Sequence, residues 1–320
     1  MPKKVLFISE SEVSKVTNMQ MALNCIDNAF QAFSRGEIYN FPRYRLPTSE
    51  GKYNFMSASW IEKGYAANKS YVSYKNGIDF NVMLYDAHGK GLIAIIEANL
   101  LGQIRTGAAS GIATKYLSKK NSKVFGIVGS GYQSQTQLES VINVRDIKET
   151  YVYSRNKKNR EIFANQMSEK FGISIKPLSY EEFIKIDFDI LTTVTNSITP
   201  VVTKKMLTPG MHINAAGNNS WEKSEVDIDV ISSSEHIICD EIEQARIECG
   251  ELIRAYEKGV FNWEESFSLS EIVSGKHKLR KNDKDITLFE SQGLALEDLA
   301  MAIEIYKIAI ENNFGKIIKI

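Results

Sequence analysis

The segment from Lys123 to Ser134 reads KVFGIVGSGYQS and gives the clearest indication of the fold. Its first half is a short apolar run, long enough for a buried strand and too short for a helix core. Gly129 and Gly131 follow, and Ser134 stands where a dinucleotide-binding fingerprint has its third glycine. There the first glycine permits a tight turn, the second lets the backbone approach a pyrophosphate, and the third position must be small. Because residues 135–144 can form the helix whose N-terminal amides face the phosphates, the stretch predicts a dinucleotide site. A glycine-rich turn in another fold is the alternative.

The residues after the next predicted strand bear on the type of dinucleotide. An NAD site has a ribose-binding carboxylate at about this position, but the chain reads Ser154, Arg155, Asn156 and Lys157. Arg155 and Lys157 could instead pair with a 2′-phosphate. The pattern therefore favours NADP(H) as cofactor, and a basic solvent-facing loop beside an NAD(H) site is the alternative. The remaining candidate cofactor-binding residues are Gln133, Thr106 and Thr195.

Composition limits the class of protein. At 320 residues the chain is longer than one hydrophobic core usually serves, so two domains are expected. Lys and Arg number 39, as do Asp and Glu, so binding of nucleic acid or of an anionic membrane has little electrostatic support. The three cysteines are widely spaced, the histidines lack metal-ligand spacing, and the opening residues do not form a signal-peptide pattern. We therefore expect a soluble cytoplasmic enzyme without a metal.

The hydrophobic pattern changes at about residue 118. Before it, residues 41–84 form short alternating segments rich in aromatic side chains, which is typical of antiparallel sheet. Arg105 and Thr106 then open a predicted helix over 107–117, whose small residues suit close helix packing or the close approach of a ligand. After it, strands and helices alternate as in an α/β, doubly wound parallel sheet. The predicted strands are 123–128, 150–153, 188–193, 211–215 and 236–239, and a last long helix is predicted over 294–312.

Four segments in this order resemble the ornithine cyclodeaminase/mu-crystallin family: IRTGAASGIATKYL (104–117), FGIVGSGYQS (125–134), PGMHINAAGNN (209–219) and FESQGLALEDLA (289–300). The resemblance implies a Rossmann-type domain, 119–293, that binds NAD(P). It also implies an α+β substrate-binding and dimerisation domain split between 1–118 and 294–320, and a homodimer. Family members handle α-amino or α-imino acids with a bound nicotinamide cofactor.

The resemblance further implies a substrate site at Arg43, Met56, Lys69 and Arg105. Guanidinium groups suit a substrate carboxylate, which they can hold by two parallel hydrogen bonds, and the amides at a helix start would add to the positive field of Arg105. Lys69 would give or relay the proton that imine reduction requires. A solvated surface charge is the alternative for each of these cations. Gln292 and Gly293 are expected to line the same pocket.

Two positions depart from the cyclodeaminase pattern. Asn219 stands where cyclodeaminases and some alanine dehydrogenases have a catalytic aspartate, and Asn54 replaces a glutamate of the ornithine-binding segment. An amide can orient a substrate but cannot accept a proton as a carboxylate base does. We therefore expect Lys69, Arg105 and Asn219 to act in an NAD(P)H-dependent imine reductase or amino-acid dehydrogenase of the ketimine reductase, alanine dehydrogenase or opine type. The alternatives are ornithine cyclodeaminase, a lyase that forms proline and ammonia, and a non-catalytic mu-crystallin-like binding protein.

Overall fold

The chain divides into two compact units. The structure, a computed structural model, describes residues 3–74 and 77–320. Met1–Arg105 together with Leu294–Ile320 form one unit, here the split unit, and Thr106–Gly293 form the other, the central unit. The predicted first domain, 1–118, includes residues 1, 2, 75 and 76, which lie outside the described residues.

The elements are numbered in chain order. The first are β1 (Lys4–Ile8), α1 (Glu10–Val16), α2 (Met19–Ser34), β2 (Ile38–Pro47), β3 (Gly51–Trp60), β4 (Tyr65–Tyr74), β5 (Gly77–Ile78), β6 (Asn81–Asp86), β7 (Gly91–Glu97) and α3 (Asn99–Leu117). They are followed by β8 (Val124–Val128), α4 (Ser134–Val144), β9 (Glu149–Tyr153), α5 (Lys157–Phe171), β10 (Ile175–Pro177), α6 (Tyr180–Phe183), β11 (Ile190–Thr193), β12 (His212–Ala215), α7 (Ile228–Ile231), β13 (His236–Cys239), α8 (Ile242–Glu248), α9 (Gly250–Glu257), β14 (Phe267–Ser268), α10 (Leu269–Val273), β15 (Thr287–Glu290), α11 (Ala295–Glu311) and β16 (Lys316–Lys319).

The split unit is a mostly antiparallel sheet covered by helices. Its described strands run in the order β16-β1-β7-β6-β4-β3-β2, with β5 beside β4, and only the pair β1 and β7 is parallel among them. Helix α2 buries a stripe at helical spacing, including Ala22, Ile26 and Phe30, which is why this segment forms an amphipathic helix. Helix α11 packs against α2 and against β2, β3, β4 and β6. Two distant parts of the chain thus share one core.

The central unit is a doubly wound sheet, as the sequence predicts. Between Thr106 and Gly293, every residue of which is described, eight parallel strands run in the order β10-β9-β8-β11-β12-β15-β13-β14. Phe125 of β8 packs with Leu138 of α4 in one core, whereas Val128 and Leu191 pack in a second. The strand order reverses between β8 and β11, and doubly wound sheets bind ligands beyond the strand ends at such a point.

The structure corrects two details of the sequence interpretation. Helix α3 begins at Asn99, so Arg105 lies in its second turn and not at a helix start. Arg105 therefore does not lie among the free N-terminal amides of a helix, and the positive field expected from them does not apply to it. The strand β15, which the sequence analysis does not predict, lies between β12 and β13. Along the chain, the two compact units divide within α3, after Arg105. No helix among the described residues is long and apolar enough to span a membrane.

Candidate active site

The glycine turn after β8 has the geometry that a bound dinucleotide requires. Gly129 has φ +123°, and a Cβ on it would lie 2.4 Å from the carbonyl oxygen of Val194, so only glycine fits. Gly131 donates its N–H to Ser134 Oγ at 3.0 Å, and a Cβ on it would meet no protein atom within 4 Å. Packing therefore does not require glycine at 131, whereas close approach of a pyrophosphate does. The residues present fit a dinucleotide.

The end of β9 offers hydroxyl, amide and basic groups to a ribose. Ser154 Oγ accepts a hydrogen bond from Ser130 Oγ at 2.9 Å, and Asn156 caps α5 by accepting from Asn159 N–H at 3.1 Å. Arg155 and Lys157 are exposed. Because α5 begins at Lys157, the basic loop is also the start of a helix, where an anion is favoured.

One carboxylate joins the two loops that follow β11 and β12. Glu225 Oε1 accepts from Thr193 Oγ1 at 2.8 Å and from the Thr195 amide at 2.6 Å, and Oε2 accepts from the Gly217 amide at 2.7 Å. Asn219 follows Gly217 and is exposed. We call these contacts the Glu225 bridge; it fixes Thr195 and the backbone leading to Asn219 beyond the ends of neighbouring strands.

A cluster of buried acidic groups surrounds that bridge. Glu225 donates its amide to Glu251 Oε1 at 3.3 Å, and Cys249 Sγ donates to Glu290 Oε2 at 3.5 Å. The side-chain atoms that could bind a metal ion lie within 4.8 Å of one another in Cys249, Glu251 and Glu290. This is the one such group among the described residues. Burial raises the pKa of Glu251 to about 7 and holds the pKa values of Glu290 and Cys249 well above their usual ranges. We call the set of Glu225, Cys249, Glu251 and Glu290 the acid cluster.

In the split unit, strand register brings three predicted substrate residues together. Met56 of β3 is paired with Lys69 of β4. The register between β2 and β3 shifts between Phe41 and Tyr44, so Arg43 lies in the irregular segment beside them. All three side chains are buried, which excludes the solvated surface charge as an account of Arg43 and Lys69.

Two acidic residues of α11 complete this group. Lys69 Nζ donates to Asp298 Oδ1 at 2.9 Å, and Arg105 Nε donates to the same oxygen at 3.1 Å. Arg105 Nη1 donates to Glu297 Oε2 at 2.6 Å. The four side chains are at most 8% exposed. We call Lys69, Arg105, Glu297 and Asp298 the ion cluster.

Electrostatics give the ion cluster a near-neutral titrating group. Burial lowers the pKa of Lys69 to about 8; Asp298 opposes this, while the charges of Arg105 and Arg43 add to it. Burial raises the pKa of Glu297, against the influence of Arg105. Burial lowers the pKa of Arg105, but Asp298 and Glu297 outweigh it, so the guanidinium stays charged. With its carboxylates ionised and Arg43 included, the group carries one net positive charge, complementary to one substrate carboxylate.

The remaining predicted site residues belong to the central unit. The amides of Gln292 and Gly293 donate to Asp240 Oδ2, each at 2.6 Å, which fixes the turn after β15. Gly107, at the small-residue face of α3, would place a Cβ 2.4 Å from the Thr136 carbonyl, so close helix packing accounts for that residue. Glu297 and Asp298 are functional candidates to which the sequence analysis assigns no role, although both lie in a segment that it quotes.

The glycine turn of the central unit and the buried cationic group of the split unit are each features expected of an NAD(P)-dependent oxidoreductase. The similar proteins named below, an alanine dehydrogenase and a Δ1-pyrroline-2-carboxylate reductase, are of this class. The chain belongs to the ornithine cyclodeaminase/mu-crystallin family, whose model matches residues 3–313, and the resemblance found in the sequence is confirmed.

Individual relatives agree with this class over nearly their full length. An alanine dehydrogenase of Archaeoglobus fulgidus is 33% identical over 99% of this chain and 98% of its own. The structure of a Δ1-pyrroline-2-carboxylate reductase of Thermococcus litoralis in complex with NADH and L-proline has a TM-score of 0.92 and 33% identity, covering 98% of this chain and 99% of that one. An archaeal alanine dehydrogenase dimer with bound NAD also has a TM-score of 0.92 and 33% identity, with 99% of each chain covered.

Proposed function

We propose that this protein reduces a small α-imino acid at the expense of a reduced nicotinamide nucleotide. The observation that carries the proposal is Lys69, a buried ammonium with a pKa of about 8, held among Arg43, Arg105 and Asp298. Such a group can donate a proton near neutral pH. The central unit would bind the nucleotide and the split unit the amino acid.

Each residue of the ion cluster has a task in this reaction. Arg43 and Arg105 would hold the substrate carboxylate, with Arg105 kept in place by Glu297 and Asp298. The nicotinamide, when bound, supplies the hydride that forms the new C–H bond. Lys69 would give up an Nζ–H proton to the imine nitrogen, so that C=N becomes CH–NH and Lys69 becomes neutral. Asn219 would orient the substrate and Met56 would supply an apolar wall, since its side chain is fully buried.

The substrate side chain is inferred from what the site lacks. Asn54 is buried and donates its amide to the Lys52 carbonyl at 2.9 Å, so it offers no charge to a distal ammonium. A cyclic imino acid such as Δ1-pyrroline-2-carboxylate, on which the Thermococcus litoralis relative acts, needs no such charge. We therefore propose a cyclic or short aliphatic imino acid.

A substrate panel tests this function. The purified protein is incubated with Δ1-pyrroline-2-carboxylate, or with pyruvate and ammonium, and NADPH or NADH oxidation is followed at the nicotinamide absorbance. We expect net oxidation in proportion to the amino acid formed. A parallel reaction with ornithine and NAD(P)+ is analysed by mass spectrometry for proline and ammonia. Rapid proline formation without net cofactor turnover would identify a cyclodeaminase, and no turnover with any substrate would favour a binding protein.

We further propose a preference for NADPH, because no carboxylate follows β9 while Arg155 and Lys157 are exposed there. The double variant Ser154→Asp, Arg155→Ala should move the ratio of kcat/KM values toward NADH by about tenfold or more, since one charge-assisted hydrogen bond to a phosphate is lost. Lys185→Ala, an exposed lysine elsewhere in the central unit, is the control. Equal use of NADH by the unmodified protein would contradict this preference.

A homodimer formed through the split unit is proposed on a run of exposed aromatic side chains. Phe41 and Tyr44 are 50% and 55% exposed, and their stacked rings lie 5.7 Å apart. Tyr53 and Tyr74 extend the exposed apolar surface along β3 and β4. Light scattering at micromolar concentration should give twice the chain mass for the wild type, and Phe41→Glu should shift it toward the monomer.

Free cysteines at Cys25, Cys239 and Cys249 support our proposal of a cytoplasmic location.

A further inference from the structure

The two acidic residues of α11 are adjacent in sequence but contact the ion cluster differently. Asp298 Oδ1 accepts hydrogen bonds from both Lys69 and Arg105, whereas Glu297 Oε2 accepts only from Arg105 in the contacts described above. Both side chains are almost completely buried. One residue therefore links the proton donor to the carboxylate-binding arginine, and its neighbour does not.

We propose that Asp298 is a positioning residue that keeps Lys69 charged and in place for proton transfer, and that Glu297 positions Arg105 alone. This inference rests on the proposed imine reduction, because it assigns Lys69 the role of proton donor. Asp298 acts through Lys69 and Arg105, and the proposal requires no contact of its own with the substrate.

The surroundings of Lys69 explain why it needs this partner. Burial and the positive charges of Arg105 and Arg43 all favour the neutral amine, and Asp298 is the carboxylate that opposes them. The Lys69 Nζ also lies 4.7 Å from the centre of the Phe80 ring, an apolar neighbour that offers a weak cation–π contact only. On the flanking strands, Met56 and Val82 are the register partners of Lys69, and neither is charged. Without the Asp298 carboxylate, Lys69 would lose its proton at a lower pH.

Asp298→Asn provides the test, with Glu297→Gln as the matched control. For wild-type reduction, kcat/KM should fall above a pH of about 8, where Lys69 loses its proton. In Asp298→Asn this alkaline limb should move down by about 1–3 pH units, the usual effect of removing an adjacent opposite charge. In Glu297→Gln the limb should stay in place while KM rises about tenfold, because a charge-assisted hydrogen bond to Arg105 is weakened.

The outcomes separate a positioning role from a merely structural one. Uniform loss of activity in Asp298→Asn with an unshifted limb would overturn the proposal, as would an equal shift in Glu297→Gln. If Asp298→Asn fails to fold, Asp298→Glu is used instead, because it keeps the charge but displaces the oxygen. Its limb should remain within about half a pH unit of wild type while kcat/KM falls about tenfold or more. Failure of the proposed function is distinguishable, since the wild type would then reduce no imino acid at any pH.

Discussion

Each unit contains a group of buried ionisable side chains, and the two groups differ in whether their charges are paired. The ion cluster of the split unit pairs Lys69 and Arg105 with carboxylates, so charge is retained in the interior. In the acid cluster of the central unit, none of the three glutamates forms an ion pair with a described residue, and burial raises the pKa values of all of them. Burial of ionisable groups alone therefore does not define an active site. A cluster that keeps its charge can bind and protonate a substrate, while one in which burial disfavours the carboxylate form mainly fixes the backbone around it.

The largest effect should come from removing the proton donor of the ion cluster. Lys69→Met should lower the rate of imine reduction by about 10²–10⁴-fold, the usual contribution of one proton-transfer group. Affinity for the nucleotide, measured by fluorescence titration, should stay nearly unchanged, because the glycine turn lies in the central unit. Lys63→Met, which removes an exposed lysine of the split unit, is the control and should retain activity. Retention of the rate in Lys69→Met would remove Lys69 from the mechanism.

A smaller effect is expected when the shape of a cation changes but its charge does not. Arg105→Lys cannot reach both Asp298 and Glu297 in the planar geometry of a guanidinium. We expect KM to rise about 10–100-fold with a smaller change in kcat, because the carboxylate contact is weakened more than proton transfer. The exposed Arg35→Lys is the matched control. An unchanged KM, determined by initial rates, would show that Arg105 does not bind the substrate.

The smallest effect concerns the acid cluster and should appear in stability. The pKa of Glu251 is about 7 in the folded protein, against an ordinary value of 4.5. Between these two pH values, the folded form holds a proton that the unfolded chain has released. Its contribution to the free energy of unfolding therefore falls as pH rises from 4.5 to about 7 and is level above that. Glu251→Gln removes this titration and should stabilise the protein at pH 8 by roughly 1–2 kcal/mol.

Urea denaturation at pH 5 and pH 8 measures this gain, which should be much smaller at pH 5. Glu257→Gln, at the exposed end of the same helix α9, should show no such pH dependence. If Glu251→Gln were equally destabilised at both pH values, the carboxyl would have to be ionised and paired in the fold. The acid cluster would then keep its charge in the interior, as the ion cluster does.

The sequence predicts the central unit better than the split unit for a physical reason. The glycine turn lies within twelve consecutive residues, and the strands around it show local hydrophobic runs, so the sequence alone predicts both. The pairing of Lys69 with Asp298 joins positions 229 residues apart, and no local pattern indicates it. The sequence does not indicate the early start of α3, because its first turn, Asn99 to Gly102, continues an apolar run from β7. The two-residue β14 and the three-residue β10 are too short to show a period.

The Glu225 bridge has a consequence for the thermodynamics of nucleotide binding. Because a single side chain fastens Thr193, Thr195 and Gly217, the loops beyond β11 and β12 are ordered before any ligand arrives. We propose that the nucleotide contacts Thr195, and such binding would lose little conformational entropy in these loops. In Glu225→Gln the amide nitrogen cannot accept the Gly217 hydrogen bond, and that entropy would be lost on binding instead. Calorimetry should then show a more unfavourable entropy of association, even where the enthalpy is preserved.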